Sequence, residues 1–313
     1  MPKVLISDAI DSIAEQILNS NNIKVDAITD LDSNQLKDII NKYDGLIVRS
    51  ATKVTKDVIE VAENLKIIGR AGAGVDNIDI EIANKKNIIV MNTPGGNTNA
   101  TAEHTMALLF SLSRSIPEAN YSTHKGLWEK KKYKGNELKG KEIGIIGFGN
   151  VGKKFAEMCF ALGLKINIYS KYFELIKNEF NQYISLDLDN LIKKSDIISF
   201  HCKPNKDNSS IINLEHLKLM KKTALIINTA RGNLIDENDL KVALENKIIR
   251  GAAIDVFSNE PANNNVLFNA PNIILTPHIA ASTFESQLNV AEQIAEQISV
   301  YFNSGKIINS VNQ

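Results

Sequence analysis

This sequence predicts an α/β protein built on two doubly wound parallel sheets, and three observations predict it. Short apolar runs alternate with segments of helical spacing from residue 4 to residue 90, the pattern of strands joined by helical crossovers. The alternation resumes at residue 143 and continues to residue 275. At the first strand-to-helix junction of that second series stands Gly147-Phe148-Gly149-Asn150-Val151-Gly152, a glycine-rich turn of the kind that receives phosphate groups.

The first series places strands at residues 4–6, 23–25, 46–48, 67–68 and 88–90, with helices at 10–18, 34–42, 56–63 and 80–85. The strands are short and rich in Val, Ile and Leu, whereas the helices space their apolar residues three and four apart. Two loops after strands stand out, Val48-Arg49-Ser50-Ala51-Thr52 and Gly69-Arg70-Ala71-Gly72-Ala73-Gly74-Val75-Asp76. Ligands of open α/β sheets collect at the carboxyl ends of strands. A guanidinium beside the open N–H groups of Gly72, Ala73 and Gly74 suits a carboxylate or phosphate. Arg70 is therefore a better anion-binding candidate than Arg49.

Asn92-Thr93-Pro94-Gly95-Gly96-Asn97 reads as a turn cluster and a domain boundary. One long helix is expected over residues 100–120, followed by the basic run Trp128-Glu129-Lys130-Lys131-Lys132-Tyr133-Lys134. On composition that run reads equally as a solvated loop or as a binding element. The second series places strands at 143–146, 166–169, 197–201, 224–228, 251–255 and 273–275, a helix at 153–162 and a closing helix at 283–302. In the glycine turn, Gly147 permits the bend, Gly149 lets a pyrophosphate approach the backbone, and Gly152 lets the helix pack on its strand. A dinucleotide is the ligand such a turn implies.

The bounds are set by composition. The chain has 313 residues, room for two domains with their own cores. Lys and Arg number 36, as do Asp and Glu, so no net field recruits nucleic acid or an anionic membrane. The two cysteines, Cys159 and Cys202, sit in apolar surroundings and read as free thiols. The first residues look like a strand, without the apolar core of a signal peptide, and no apolar run reaches membrane-spanning length. A soluble cytoplasmic protein without a third, C-terminal domain is the expectation.

Three further motifs follow expected strands: Asn228-Thr229-Ala230-Arg231-Gly232, Asp255-Val256-Phe257-Ser258-Asn259-Glu260-Pro261 and Thr276-Pro277-His278-Ile279-Ala280-Ala281. Together with the Arg49 and Arg70 loops and the glycine turn, they make the chain resemble the D-isomer-specific 2-hydroxyacid dehydrogenases along essentially its whole length. The resemblance implies a Rossmann nucleotide domain, residues 98–282, inserted into a flavodoxin-like substrate domain formed by residues 1–97 and 283–313. It also implies a homodimer joined through the nucleotide domain.

Oxidising a 2-hydroxy acid needs a base for the hydroxyl proton, a cation for the carboxylate and a hydride acceptor. His278 suits the first role, since imidazole titrates near operating pH. Glu260 can orient His278, and Arg231 can grip a carboxylate through two N–H groups. The resemblance assigns the family's catalytic residues to these same three positions. It places the cofactor on Gly147, Gly149, Asn150, Val151 and Gly152, on Ser170, Lys171, Cys202 and Lys203 at the adenosine, and on Thr229, Asp255 and Ala281. Asp255 is expected at the nicotinamide carboxamide. The resemblance further implies a phosphorylated hydroxy acid, for which Arg49, Arg70, Gly72, Ala73, Gly74 and Lys130 are the candidate contacts, and it implies that Lys130 comes from the partner subunit of a dimer. His104 is expected to serve packing or an interdomain contact.

Two departures from the family pattern bear on the cofactor. NAD-specific members carry an acidic residue after the second strand of the nucleotide domain, where this chain has Ser170 followed by Lys171. The family's His-x-Pro is here His201-Cys202-Lys203. The loss of a carboxylate and the gain of two lysines shift the expectation from NAD alone to NAD or NADP.

Overall fold

The computed structural model describes residues 1–205 and 207–313, which divide into two compact units. Met1–Asn97 and Ser282–Gln313 form one; Thr98–Ala281 form the other.

The first unit is built on five parallel strands, β1 (Lys3–Ile6), β2 (Lys24–Ala27), β3 (Gly45–Val48), β4 (Ile67–Arg70) and β5 (Ile89–Asn92). Their order is β2-β1-β3-β4-β5, the flavodoxin-like arrangement. Successive residues point to opposite faces, so Leu46 and Val48 enter one buried cluster while Ile47 enters the other. Both faces are covered, as a parallel sheet requires. Helices α1 (Ile13–Ser20), α2 (Ser33–Ile40), α3 (Lys56–Val61) and α4 (Ile80–Lys85) make the crossovers. Asp32 starts α2 with a capping box: its carboxylate accepts the Asn34 and Gln35 N–H groups, and Gln35 accepts the Asp32 N–H. The closing helix, Phe284–Ser304, lays Val290, Ala291, Ile294, Ala295 and Ile298 on the sheet. It fits there because position 69 is glycine; a Cβ would come within 2.7 Å of Ile294 and Ile298.

The second unit opens with α5 (Thr98–Arg114) and α6 (Ile116–His124). The single helix expected over 100–120 is thus two. Ser115 sits at φ 50°, in the left-handed region, and Pro117 follows in the first turn of α6. Proline offers no N–H to the preceding turn but suits the first turn of a new helix, so the ladder stops at Ser115 and restarts. The sheet then runs β6 (Glu142–Ile146), α7 (Asn150–Ala161), β7 (Lys165–Tyr169), α8 (Phe173–Ile176), β8 (Ile184–Ser185), α9 (Leu188–Lys194), β9 (Ile197–Phe200), α10 (Leu214–Leu219), β10 (Leu225–Asn228), α11 (Glu237–Glu245), β11 (Gly251–Ile254) and β12 (Ile273–Leu275). All seven strands are parallel, in the order β12-β11-β10-β9-β6-β7-β8. The order reverses direction at β6, the switch point where open sheets bind nucleotides. The two-residue β8 is too short for its periodicity to have marked it in the sequence. The long C-terminal helix of the first unit is α12.

Candidate active site

The glycine turn sits where β6 meets α7. Gly147 has φ 97°, and a Cβ there would lie 2.4 Å from the His201 carbonyl oxygen. A Cβ on Gly152 would lie 2.4 Å from the Gly147 oxygen. At Gly149 a Cβ would meet no atom within 4 Å, and no side chain caps the N–H groups that begin α7. The turn is therefore closed to bulk on two sides and open at the helix N-terminus, with Gly149 and Asn150 exposed. These residues fit a dinucleotide pyrophosphate.

Ser170 directly follows β7, and the Tyr169 carbonyl accepts the Gly147 N–H at 2.9 Å. Lys171 and Lys203 are exposed, and neither is held in an ion pair among the described residues. Cys202 is half-buried against Gly147, and burial pushes its thiol up to about 11, so it stays protonated at neutral pH. The neighbouring His201 ring lies 2.9 Å from the Ser199 hydroxyl, and burial pushes it down to about 3. It is a neutral support for the turn.

Three loops from β10, β11 and β12 carry the proton-transfer candidates. After β10, the Asn228 side chain accepts the Ala230 N–H at 3.0 Å and donates to the Arg231 carbonyl at 2.8 Å, fixing the turn before Arg231. Gly232 is obligatory, because a Cβ would overlap the Phe257 backbone. After β11, Glu260 accepts the Phe257 N–H at 2.9 Å through one carboxylate oxygen. The other lies 2.6 Å from His278 Nδ1. Burial works to raise the Glu260 carboxyl, but the His278 and Phe257 hydrogen bonds and the charges of His278 and Arg231 hold it below its ordinary value. An ionised carboxylate only accepts, so Nδ1 carries the proton and Nε2 is the nitrogen left for chemistry.

His278 itself has φ 53°, a left-handed backbone rarely adopted outside glycine and asparagine. Its N–H donates to the Asp255 and Thr276 carbonyl oxygens at 2.8 and 3.0 Å. Asp255, expected at the nicotinamide carboxamide, is fully buried, and groups of the protein meet its carboxylate. It accepts the Ile279 and Ala280 N–H groups at 2.9 and 3.0 Å and the Thr276 hydroxyl at 2.5 Å. Burial acts to raise this carboxyl, yet these donors and His104 hold it below its ordinary value. A carboxylate with no exposed surface must be satisfied where it stands.

His104, expected to serve packing or an interdomain contact, packs within the second unit. From α5 its Nε2 reaches Thr276 Oγ1 at 3.2 Å and Asp255 Oδ1 at 3.4 Å, a contact inside the second unit. One residue on, Thr105 Oγ1 meets Thr229 Oγ1 at 2.8 Å, so buried Thr229 is tied to α5. Neither His104 nor Thr276 was legible as part of this group. The one available signal was a hydroxyl two residues before His278.

In the first unit, Arg70 ends β4 and its guanidinium packs against Gly72, where a Cβ would overlap it. The Gly72 carbonyl accepts the Thr93 N–H just after β5, and the Ala73 carbonyl accepts the side-chain N–H of Asn92, the last residue of β5. Arg49 follows β3 on the adjacent strand, and its Nη1 donates to the Ala9 carbonyl at 3.2 Å. It lines a pocket of about 480 Å³ together with Asp8, Asp30, Asp32 and Ser50. Three aspartates line the same pocket, with Asp8 accepting the Arg49 and Thr52 N–H groups and Asp32 capping α2, and that acidic lining disfavours a second anion. Lys130 lies exposed in the second unit and Ala281 at that unit's end.

Residues 106–280 match the family described as D-isomer specific 2-hydroxyacid dehydrogenase, NAD binding domain. The chain is 43% identical over 298 residues to a D-3-phosphoglycerate dehydrogenase of Synechocystis, 95% of this chain and 54% of that one. It therefore spans about half the length of that relative. It is 42% identical over 301 residues to a hydroxypyruvate reductase of Thermotoga maritima, covering 95% of this chain and 97% of that protein. A crystal structure of NAD+-bound 3-phosphoglycerate dehydrogenase from Entamoeba histolytica superposes with TM-score 0.84 at 31% identity, covering 100% of this chain and 99% of that one.

Proposed function

This chain belongs to the D-isomer specific 2-hydroxyacid dehydrogenase family, and within it we propose an oxidoreductase that moves a hydride between D-3-phosphoglycerate and a nicotinamide cofactor. The observation that carries the reading is the Glu260–His278 contact at 2.6 Å, close enough to Arg231 for its charge to act on Glu260. Glu260 keeps the His278 proton on Nδ1, so Nε2 takes the substrate hydroxyl proton on oxidation and returns it on reduction. Arg231 holds the substrate carboxylate and stabilises charge on the reacting oxygen. Bound on Gly147, Gly149, Asn150, Val151 and Gly152, the nicotinamide dinucleotide would supply the hydride acceptor.

Arg70 beside Gly72, Ala73 and Gly74 supports a phosphate on the substrate, whereas the acidic pocket around Arg49 gives that residue the lesser share. That pocket favours one second reading, reduction of an unphosphorylated acid, in line with the hydroxypyruvate reductase of Thermotoga maritima. For the cofactor, an uncharged Ser170 with unpaired Lys171 and Lys203 nearby in sequence supports NADP(H) being used at least as well as NAD(H). Exposed Phe110, Ile116, Tyr121 and Trp128 support a homodimer through the second unit, with Lys130 serving the neighbouring protomer.

His278→Ala tests the central assignment. It should lower kcat by about 10²–10⁴-fold, the range for a positioned acid–base group, and leave cofactor affinity nearly unchanged. Turnover close to wild type would remove His278 from the chemistry.

A further inference from the structure

We propose that His104 is a positioning residue for the loop that carries His278, acting through Thr276 and Asp255. The proposal rests on the reading of His278 as the proton-transfer group.

The polarity of the chain of hydrogen bonds follows from its chemistry. The Asp255 carboxylate can only accept, so Thr276, at 2.5 Å from Oδ1, donates its hydroxyl proton to it. The Thr276 oxygen is then left as an acceptor, and His104 Nε2 at 3.2 Å is the donor that meets it. His104 therefore carries a proton on Nε2 and ends a relay from α5 through Thr276 to a buried charge. Such linked bonds strengthen one another where water is excluded.

The same carboxylate holds the candidate loop at three points, through the Thr276 side chain and the Ile279 and Ala280 N–H groups. His278 lies between those points with φ 53°. A left-handed backbone at a non-glycine residue persists only when its surroundings over-determine it. His104 supplies the outermost constraint. Without it, Thr276 loses its donor and can turn away from Asp255, and His278 relaxes from the geometry in which Nδ1 faces Glu260.

The test compares His104→Leu, which removes the donor, with His104→Gln, which retains an N–H of similar reach. His104→Leu should lower kcat by about 10-fold, less than the ~10²-fold that can follow a full 1 Å misplacement, while the KM for cofactor holds. His104→Gln should recover most of that loss, and His104→Leu combined with His278→Ala should be no slower than His278→Ala alone, since residues acting as one unit are not additive. Thr276→Val, lacking the middle hydroxyl, repeats the comparison if His104→Leu does not fold. Wild-type kcat in His104→Leu, or a glutamine variant as slow as the leucine one, overturns the positioning role even where His278→Ala is crippled. Wild-type kcat in His278→Ala instead overturns the underlying assignment of the base.

Discussion

At the scale of single residues, the group formed by Arg231, Glu260 and His278 depends on side chains that do no chemistry. Asp255 is the main one. Its carboxyl is held below its ordinary value, so the stability it contributes is complete above the unfolded carboxylate value of about 3.9 and is lost as pH falls through the lowered one. Asp255→Asn should therefore cost about 1–3 kcal/mol at neutral pH, the penalty for leaving buried donors poorly matched. It should also flatten the loss of stability in acid. Urea unfolding followed between neutral and strongly acidic pH reads both effects, and an Asn variant with the wild-type acid slope would show that Asp255 is not the titrating support. Arg231, Glu260 and His278 could be picked out in sequence because each sits in a recognisable run after an apolar strand. The protein partners of Asp255 could not, since the donors that meet a buried carboxylate are fixed only once the loop has folded.

At the scale of elements, strands and crossovers were legible because burial on both faces makes each strand a continuous apolar run. The break at Ser115 was not, because α5 and α6 share one apolar spacing and only Pro117 hints at the stop. The β7 to α8 junction carries the cofactor expectation. Ser170 stands where a carboxylate would both accept ribose hydroxyls and repel a 2′-phosphate. Its hydroxyl offers one uncharged hydrogen bond worth roughly 1 kcal/mol, whereas a lysine reaching a phosphate contributes roughly 1.5–3 kcal/mol. At about tenfold per 1.4 kcal/mol, NADP(H) should match or exceed NAD(H) in kcat/KM. Ser170→Asp should turn the preference toward NAD(H). A native preference for NAD(H) of about tenfold or more would mean that Lys171 and Lys203 stay in water.

At the scale of the whole molecule, charge balance and two parallel sheets describe a carrier for loops, and function lies in those loops. Among the described residues no helix is long and apolar enough to cross a membrane, and no cluster of His, Cys, Asp or Glu is arranged to hold a metal ion. The proposed chemistry needs neither. What it does need is a substrate with two anionic groups, a carboxylate and a phosphate. The most direct test is kcat/KM for D-3-phosphoglycerate and D-glycerate, each with both nicotinamide cofactors, in the native protein and in Arg70→Ala. The native protein should favour the phosphorylated acid by at least about tenfold, one charge-assisted contact's worth, and Arg70→Ala should erase that advantage while sparing D-glycerate. Equal use of the two acids by the native protein, or an equal fall for both in Arg70→Ala, would contradict a phosphoglycerate dehydrogenase.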